Sequence, residues 1–295
     1  MIRRKITYAV TKGLFLLFAF SFLLSSCSQE EEFAPQGGDG QEITILTRAA
    51  DSGSATETFT GDFTLELWND GVRTTHQMTY TEGTGWNAVK VDKLGTSVTA
   101  LAYCGNTVNV TSLDNYTVKL TEDQSDVDAF NAADVMTATG TVATDGSLSL
   151  NFKHYFAKVT FNVTLADEFK TETETETESE TALTPITNLH VVTKDSSTPE
   201  VTAYCVAADS DYDYECSAYI PAGTYAIGEP FVKITIGGQE LTANMKNAIT
   251  FTAGTHCTFY LKVGKNKVTI TQVTTNTIGN PFSGGWDNDS ETDLN

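Results

Sequence analysis

The chain has 295 residues and a formal net charge of -20, with 38 acidic side chains against 18 basic ones. A surface this acidic repels nucleic acid and anionic lipid headgroups, which excludes nucleic acid as a partner and requires any hold on a membrane to come from something other than charge. The 5 cysteines and 4 histidines show no CxxC or clustered His/Cys spacing, so no metal site and no cofactor are expected.

The amino end supplies such a hold. Arg3, Arg4 and Lys5 precede an apolar run from Gly13 to Leu24, too short for a comfortable membrane span, which closes on Leu24-Ser25-Ser26-Cys27. This order resembles a bacterial lipobox, in which the cysteine thiol is acylated and the preceding peptide is cut away. Residues 1–27 are therefore read as a lipoprotein signal, Cys27 as the lipidation site, and the destination as the outer membrane through acyl chains. Residues 28–48 follow as a tether with a first strand. Ser28 to Gly40 is polar, acidic and rich in Gly, and the acids of Gln29 to Glu32 resemble an outward export signal of surface lipoproteins of the Bacteroidetes type. Ile43 to Ala50 then gives a short strand pattern with one basic residue near its end, before the loop-like Asp51 to Thr56. An arginine in that position is open to a trypsin-like protease, which makes Arg48 and Ala49 a candidate processing site.

Beyond this point Thr, Val and Tyr are plentiful, and apolar residues recur with period two in short segments. In residues 49–146 strands are expected near Phe63 to Trp68, Met78 to Tyr80, Ala88 to Val91, Val98 to Tyr103, Tyr116 to Leu120 and Val135 to Ala138. A short helical turn through Val127, Phe130 and Val135, capped by Ser125, is the one helix predicted. In residues 147–295 strands recur at Leu148 to Leu165, Ile186 to Val192, Val201 to Val206, Cys216 to Ile220, Phe231 to Ile236, Ile249 to Phe251 and His256 to Val273. The fold class is all-β, and two such blocks fit two sandwich domains in tandem, joined near residue 146. The Thr/Glu alternation of residues 171–181 has no apolar face to bury, so it is read as a solvated loop.

Cys205 and Cys216 flank an Asp-rich loop that can join two antiparallel strands, which makes them the candidate disulfide in an oxidising envelope; the alternative is that all the cysteines after Cys27 are small buried hydrophobes. Asp209 to Glu215 alternates carboxylates as a calcium loop begins, but it lacks the glycine and the closing glutamate and reads as a hairpin loop. His154 reads as a packed strand residue. No Gly-x-Ser-x-Gly, His-Glu-x-x-His or P-loop occurs, and catalytic residues are not expected.

Three stretches together resemble the fimbrillin family, the subunits of type V pili. They are Ala132-Ala133-Asp134-Val135-Met136-Thr137-Ala138, then Leu150 through Val159 with Phe152, His154, Ala157 and Lys158, and finally Phe251-Thr252-Ala253-Gly254 running on to Val263. The resemblance implies two transthyretin-like β-sandwich domains, export as a surface-exposed lipoprotein, trimming after Arg48 by an Arg-specific surface protease, and no enzymatic activity. It also implies polymerisation with other pilus subunits by donor-strand exchange, adhesion as the outcome, and a place in the fimbrium once trimmed. Removing everything up to Arg48 would leave an open groove that invites strand addition. In the tail, Ile278, Phe282 and Trp286 share one face if extended and are the donor-strand candidates; the alternatives are a frayed tail and a donor in the strand from Lys267 to Val273. The alternatives are an uncleaved pilus anchor, or a tethered lipoprotein that binds a glycan or host protein through Trp68, Trp86, Tyr212 and Tyr214.

Overall fold

A computed structural model describes residues 40–49, 58–105, 108–174, 179–208, 211–277 and 291–292; Cys27, Ile278, Phe282 and Trp286 lie outside them. The all-β class holds: strands account for nearly all regular structure, with a single α-helix, α1 (Val127–Ala133), among the described residues. Two hydrophobic cores form. One gathers apolar residues from Ile43 to Phe152, the other from Leu120 to Val273.

The first core lies against a seven-stranded sheet. Its order is Val72–Met78, Phe63–Asn69, Val98–Cys104, Met136–Thr141, Ser147–His154, the first strand β1 (Gln41–Ala49), and Val89–Val91. Phe63 and Phe152 stand three strands apart, which in a flat sheet is about 14 Å. Their ring centroids are 5.1 Å apart. The sheet therefore curls, and its concave face encloses Phe59, Phe63, Leu65, Leu67, Leu148 and Phe152. The hairpin at its edge turns on Asp70 and Gly71, both at positive φ (48° and 84°), the two-residue turn whose twist matches paired strands.

The second core lies between a six-stranded sheet and a four-stranded one. Phe161 and Phe259 of the larger sheet meet Phe231 of the smaller at 5.9 and 4.9 Å, and Tyr225 and Phe251 close the cluster around Phe231 at 5.1 and 5.5 Å.

Three expectations need correction. The division at residue 146 does not follow the sheets: Ser147–His154 belongs to the first, where Leu148, Leu150 and Phe152 are buried, while Leu120, Ala133 and Val135 pack into the second core. The chain enters the second core for good only at Phe156, and a boundary drawn from strand counting alone cannot see that the two cores share residues 120–156. The cap of α1 is Asp126, whose carboxylate accepts from the Ala129 N–H at 2.8 Å, and not Ser125, whose own N–H donates to Asp123. The Thr/Glu segment is not a loop. Its backbone pairs as a hairpin of Lys170–Glu174 with Ser179–Leu183, joined to neither large sheet by strand pairing, with Leu183 at its base packed against the second core.

On the convex face of the first sheet Glu66 is 2% exposed and fully engaged. Arg73 Nε and Thr75 Oγ1 donate to one carboxylate oxygen at 2.8 and 2.7 Å, and Tyr103 donates to the other at 3.2 Å. Arg73 also donates to the Val110 carbonyl, tying the Val108–Ser112 strand over this face. Burial disfavours the ionised carboxyl, but the hydrogen bonds of Arg73 and Thr75, the Arg73 charge and the Tyr103 bond outweigh it, so its pKa is held below the ordinary glutamate value. A depressed carboxyl stabilises the fold above its unfolded pKa and loses that contribution as pH falls through the folded one. Glu66→Gln is expected to cost about 1–3 kcal/mol at neutral pH and to make the stability loss between pH 7 and pH 3 shallower, as urea melts at the two pH values will report.

Candidate assembly site

The segment on which the sequence placed processing is β1, and the structure sets it in the interior of the first sheet. It runs parallel to Ser147–His154 from Thr44 opposite Ser147 to Ala49 opposite Phe152, and antiparallel to Val89–Val91 only from Gln41 to Ile43. Period two divides its side chains cleanly. Ile43, Ile45, Thr47 and Ala49 are buried, while Glu42, Thr44, Leu46 and Arg48 are exposed. Leu46, 51% exposed, is a large apolar residue presented to solvent on that outer face.

Past Ile43 the edge of β1 away from Ser147–His154 borders a cleft of about 520 Å³, walled by Tyr80, Trp86 and Asn87. Trp86 packs edge-on against Phe63 at 4.8 Å and Tyr80 at 5.2 Å. Its indole N–H donates to Thr47 Oγ1 at 3.2 Å, and that hydroxyl in turn donates to the Phe59 carbonyl at 2.6 Å. A buried hydroxyl needs a donor and an acceptor, and Thr47 has both. The end of β1 is thereby pinned to two other parts of the first core, one residue before Arg48.

Arg48 was expected between a strand and a loop. It lies within the strand instead: its side chain is exposed, but its backbone is in register with Asn151, and Ala49 after it is 4% exposed. The Arg48–Ala49 bond is thus presented with an accessible basic side chain on a backbone that must unpair locally before a protease can hold it extended in its own cleft.

Cys205 and Cys216 face each other in the paired strands Tyr204–Ala207 and Tyr214–Ile220, and a disulfide joins them with Cα atoms 4.0 Å apart. The thiols of Cys104 and Cys257 are free, and burial pushes that of Cys104 up to about 12. The four aromatics considered for ligand binding do not converge. Trp68 lies under Arg73 at 5.8 Å and Trp86 borders the first core, whereas Tyr212 packs on Tyr260 at 5.5 Å and Tyr214 against the second core. Asp213, in the Asp-rich loop, is used structurally: it accepts from the Leu165 N–H at 2.6 Å and pairs with Lys170 at 2.9 Å.

One constellation was not expected from the sequence, although Asp134, His154 and Lys158 stand in the motif stretches. Asp134 of the first motif and His154 of the second meet at the junction of the two cores, Nδ1 to Oδ1 at 2.6 Å, with the imidazole almost wholly enclosed. Tyr219 of the Tyr214–Ile220 strand is drawn in too, its phenol pKa raised by burial first and by the Asp134 charge second. Lys158 is buried beside Phe130, its Nζ 5.5 Å from the ring centroid; burial lowers its pKa to about 8, against the attraction of Asp134 and Glu215. Asp134 and His154 are 20 residues apart in sequence, and only the fold brings them together.

A curled sheet completed by an amino-terminal strand, together with a two-sheet sandwich, defines a protein of the β class. Comparison with known proteins narrows this. A sequence profile described as fimbrillin-like matches residues 36–277, and the chain belongs to that family, whose members are structural subunits of fimbriae and not enzymes. Similar solved structures include the fimbrial anchor protein Mfa2 from Porphyromonas gingivalis, at 10% identity and TM-score 0.44, covering 80% of this chain and 97% of that one. The tip fimbrial protein Mfa3 from the same organism, with a C-terminal truncation, aligns at 10% identity and TM-score 0.39 over 80% and 100% of the two chains. A fimbrial assembly protein from Parabacteroides distasonis ATCC 8503 aligns at 11% identity and TM-score 0.40 over 81% and 96%. No curated protein matches the sequence.

The Thr47 node gives a direct test of how β1 is held. Thr47→Val keeps the shape but takes the acceptor from the Trp86 N–H, which is expected to lower stability by about 1–3 kcal/mol. It should also quicken trypsin cleavage at Arg48, and time-resolved mass spectrometry of the digest with parallel melting curves checks both.

Proposed function

We propose that this chain is a subunit of a type V pilus, exported as a lipoprotein acylated at Cys27, trimmed between Arg48 and Ala49 by an Arg-specific surface protease, and assembled by strand exchange. Its two cores are the two transthyretin-like domains of that reading. The observation that carries it is the position of β1: a strand inside a sheet, contributing Ile43, Ile45 and Thr47 to a core, with an exposed Arg48 one residue before its end. One cut converts that strand from a covalent part of the fold into a peptide held by pairing and burial alone. Its departure would leave the Ser147–His154 and Val89–Val91 strands with open backbone groups and an apolar slot, and an extended strand from a neighbouring subunit can fill both needs at once. Before trimming the acyl chains hold the protein on the outer membrane; afterwards pairing with other subunits holds it in the fimbrium.

The tail donates in this scheme. Ile278, Phe282 and Trp286 are its candidate anchors in a neighbour's slot. The fallback donor, the Lys267–Thr277 strand, is already paired with Thr255–Gly264 and buries Val268, Ile270 and Val273 in its own core. Lending it out would open that core, so it is the poorer donor.

Arg48→Ala is the decisive variant. The expected product keeps an amino terminus at acylated Cys27, stays membrane-bound and forms no fibres by electron microscopy; fibres built from mutant protein still starting at Cys27 would overturn the reading in favour of an uncleaved role. Export also places Cys205 and Cys216 where a disulfide persists. In denatured, unreduced protein a maleimide should label Cys104 and Cys257 and leave Cys205 and Cys216 untouched, as peptide mass mapping can determine.

A further inference from the structure

The slot occupied by β1 is not uniformly apolar. Its inward positions are graded along the strand: Ile43 beside Val89, Ile45 beside Leu148, then Thr47 beside Leu150. The first two are large aliphatics with almost no exposure, in contact with the first core. The third is a hydroxyl that accepts from the Trp86 N–H at 3.2 Å and donates to the Phe59 carbonyl at 2.6 Å. Any strand taking the place of β1 meets these same walls, because they belong to parts of the chain that remain after a cut at Arg48. Two successive inward positions must be filled by bulk, since a small or polar residue there leaves a cavity or an unpaired group. The next must offer an acceptor to Trp86.

The chain's own tail does not fit this pattern. Between Thr274 and Asn295 the large apolar residues are Ile278, Phe282, Trp286 and Leu294, so no two of them are two residues apart. In an extended strand each inward neighbour of an apolar residue is then Asn276, Asn280, Gly284 or Asn288 on the face of Ile278, Phe282 and Trp286, and Thr292 beside Leu294. Running the tail in the opposite direction changes nothing, since the pattern lacks an apolar pair read either way.

We propose that the β1 slot is sequence-selective: it accepts a strand from a different protein that sets large aliphatic or aromatic residues at two successive inward positions and a hydroxyl or amide at the next, and it rejects the tail of a second copy of this chain. This deepens the exchange reading above and rests on it. The subunit then receives one kind of strand and offers another, and joins unlike neighbours on its two sides.

The experiment uses the full chain trimmed by an Arg-specific protease and fluorescein-labelled peptides followed by anisotropy. A peptide of residues 41–48 should enter the slot. Its Ile45→Thr version should bind at least about tenfold more weakly, its Thr47→Val version about five- to tenfold more weakly, and a peptide of residues 274–287 at least about a hundredfold more weakly. In Trp86→Phe protein, with folding confirmed by melting, the penalty for Thr47→Val should shrink by at least about twofold without vanishing, because the indole donor is gone while the Phe59 carbonyl still accepts from the hydroxyl. A tail peptide that binds as tightly as residues 41–48 overturns the selectivity while leaving strand exchange intact. Failure of every peptide to enter a chain demonstrably cut at Arg48 overturns strand exchange itself, and the selectivity with it.

Discussion

The first core depends on a strand that comes from outside its own continuous sequence block. β1 inserts between Ser147–His154 and Val89–Val91, and without it the sheet would end on one side at Ser147–His154 with the apolar face around Leu148 and Phe152 uncovered. Two buried isoleucines are worth on the order of 1.5 to 3 kcal/mol each, a large share of the roughly 5–15 kcal/mol that holds an ordinary domain together. The Thr47 hydroxyl, the Trp86 indole and the cleft beside them are arranged around this one insertion. A fold that places so much of a core on its first strand is sound only while something occupies that place.

The second dependence is the polar joint between the cores. Asp134 follows α1 and precedes Met136–Thr141, a strand of the first sheet, while His154 ends Ser147–His154 just before the chain crosses into the second core. Their contact closes the loop formed by the strands between them at the point where the chain changes cores. Tyr219 and Lys158 approach the same carboxylate from the second core. His154 Nε2 has no hydrogen-bond partner among the described residues. A buried hydrogen-bonded polar pair is weak evidence for stability, but it fixes geometry, since its partners tolerate few alternative placements. Here it fixes how residues 134–158 pass from one core to the other.

Much of this was legible in the residues. Period two in segments such as Phe63 to Trp68 identified strands because an antiparallel or curled sheet buries one face, and alternation follows directly. The placing of Cys205 opposite Cys216 was readable from a short polar loop between two strand patterns. What escaped had the same physical character throughout: it depends on contacts distant in sequence. Ser125 and Asp126 are both good caps, and only the backbone path decides between them. The Thr/Glu hairpin pairs although its composition argues for solvation, with Leu183 at its base packed against the second core. Ser147–His154 looks like the opening of a new domain since it follows the turn at Asp145 and Gly146, yet its inward residues complete the older core. Thr47 and Trp86 are 39 residues apart and carry no motif that links them.

The direction of β1 has a consequence for exchange. Its longer ladder, with Ser147–His154, is parallel, and its shorter one, with Val89–Val91, is antiparallel. Parallel pairs have slanted hydrogen bonds and are slightly less stable per residue than antiparallel ones. A replacement strand that ran the opposite way would make the longer ladder antiparallel and sacrifice only the shorter one. It would also meet the slot in reverse, hydroxyl position first and the two bulky positions after it. Under the exchange proposed here the resident strand is therefore the less favoured of the two polarities in backbone terms, and its covalent link to the rest of the chain offsets that deficit until Arg48 is cut. Cleavage then does two things: it removes the high effective concentration that kept β1 in place, and it lets the sheet choose the polarity that its longest ladder prefers.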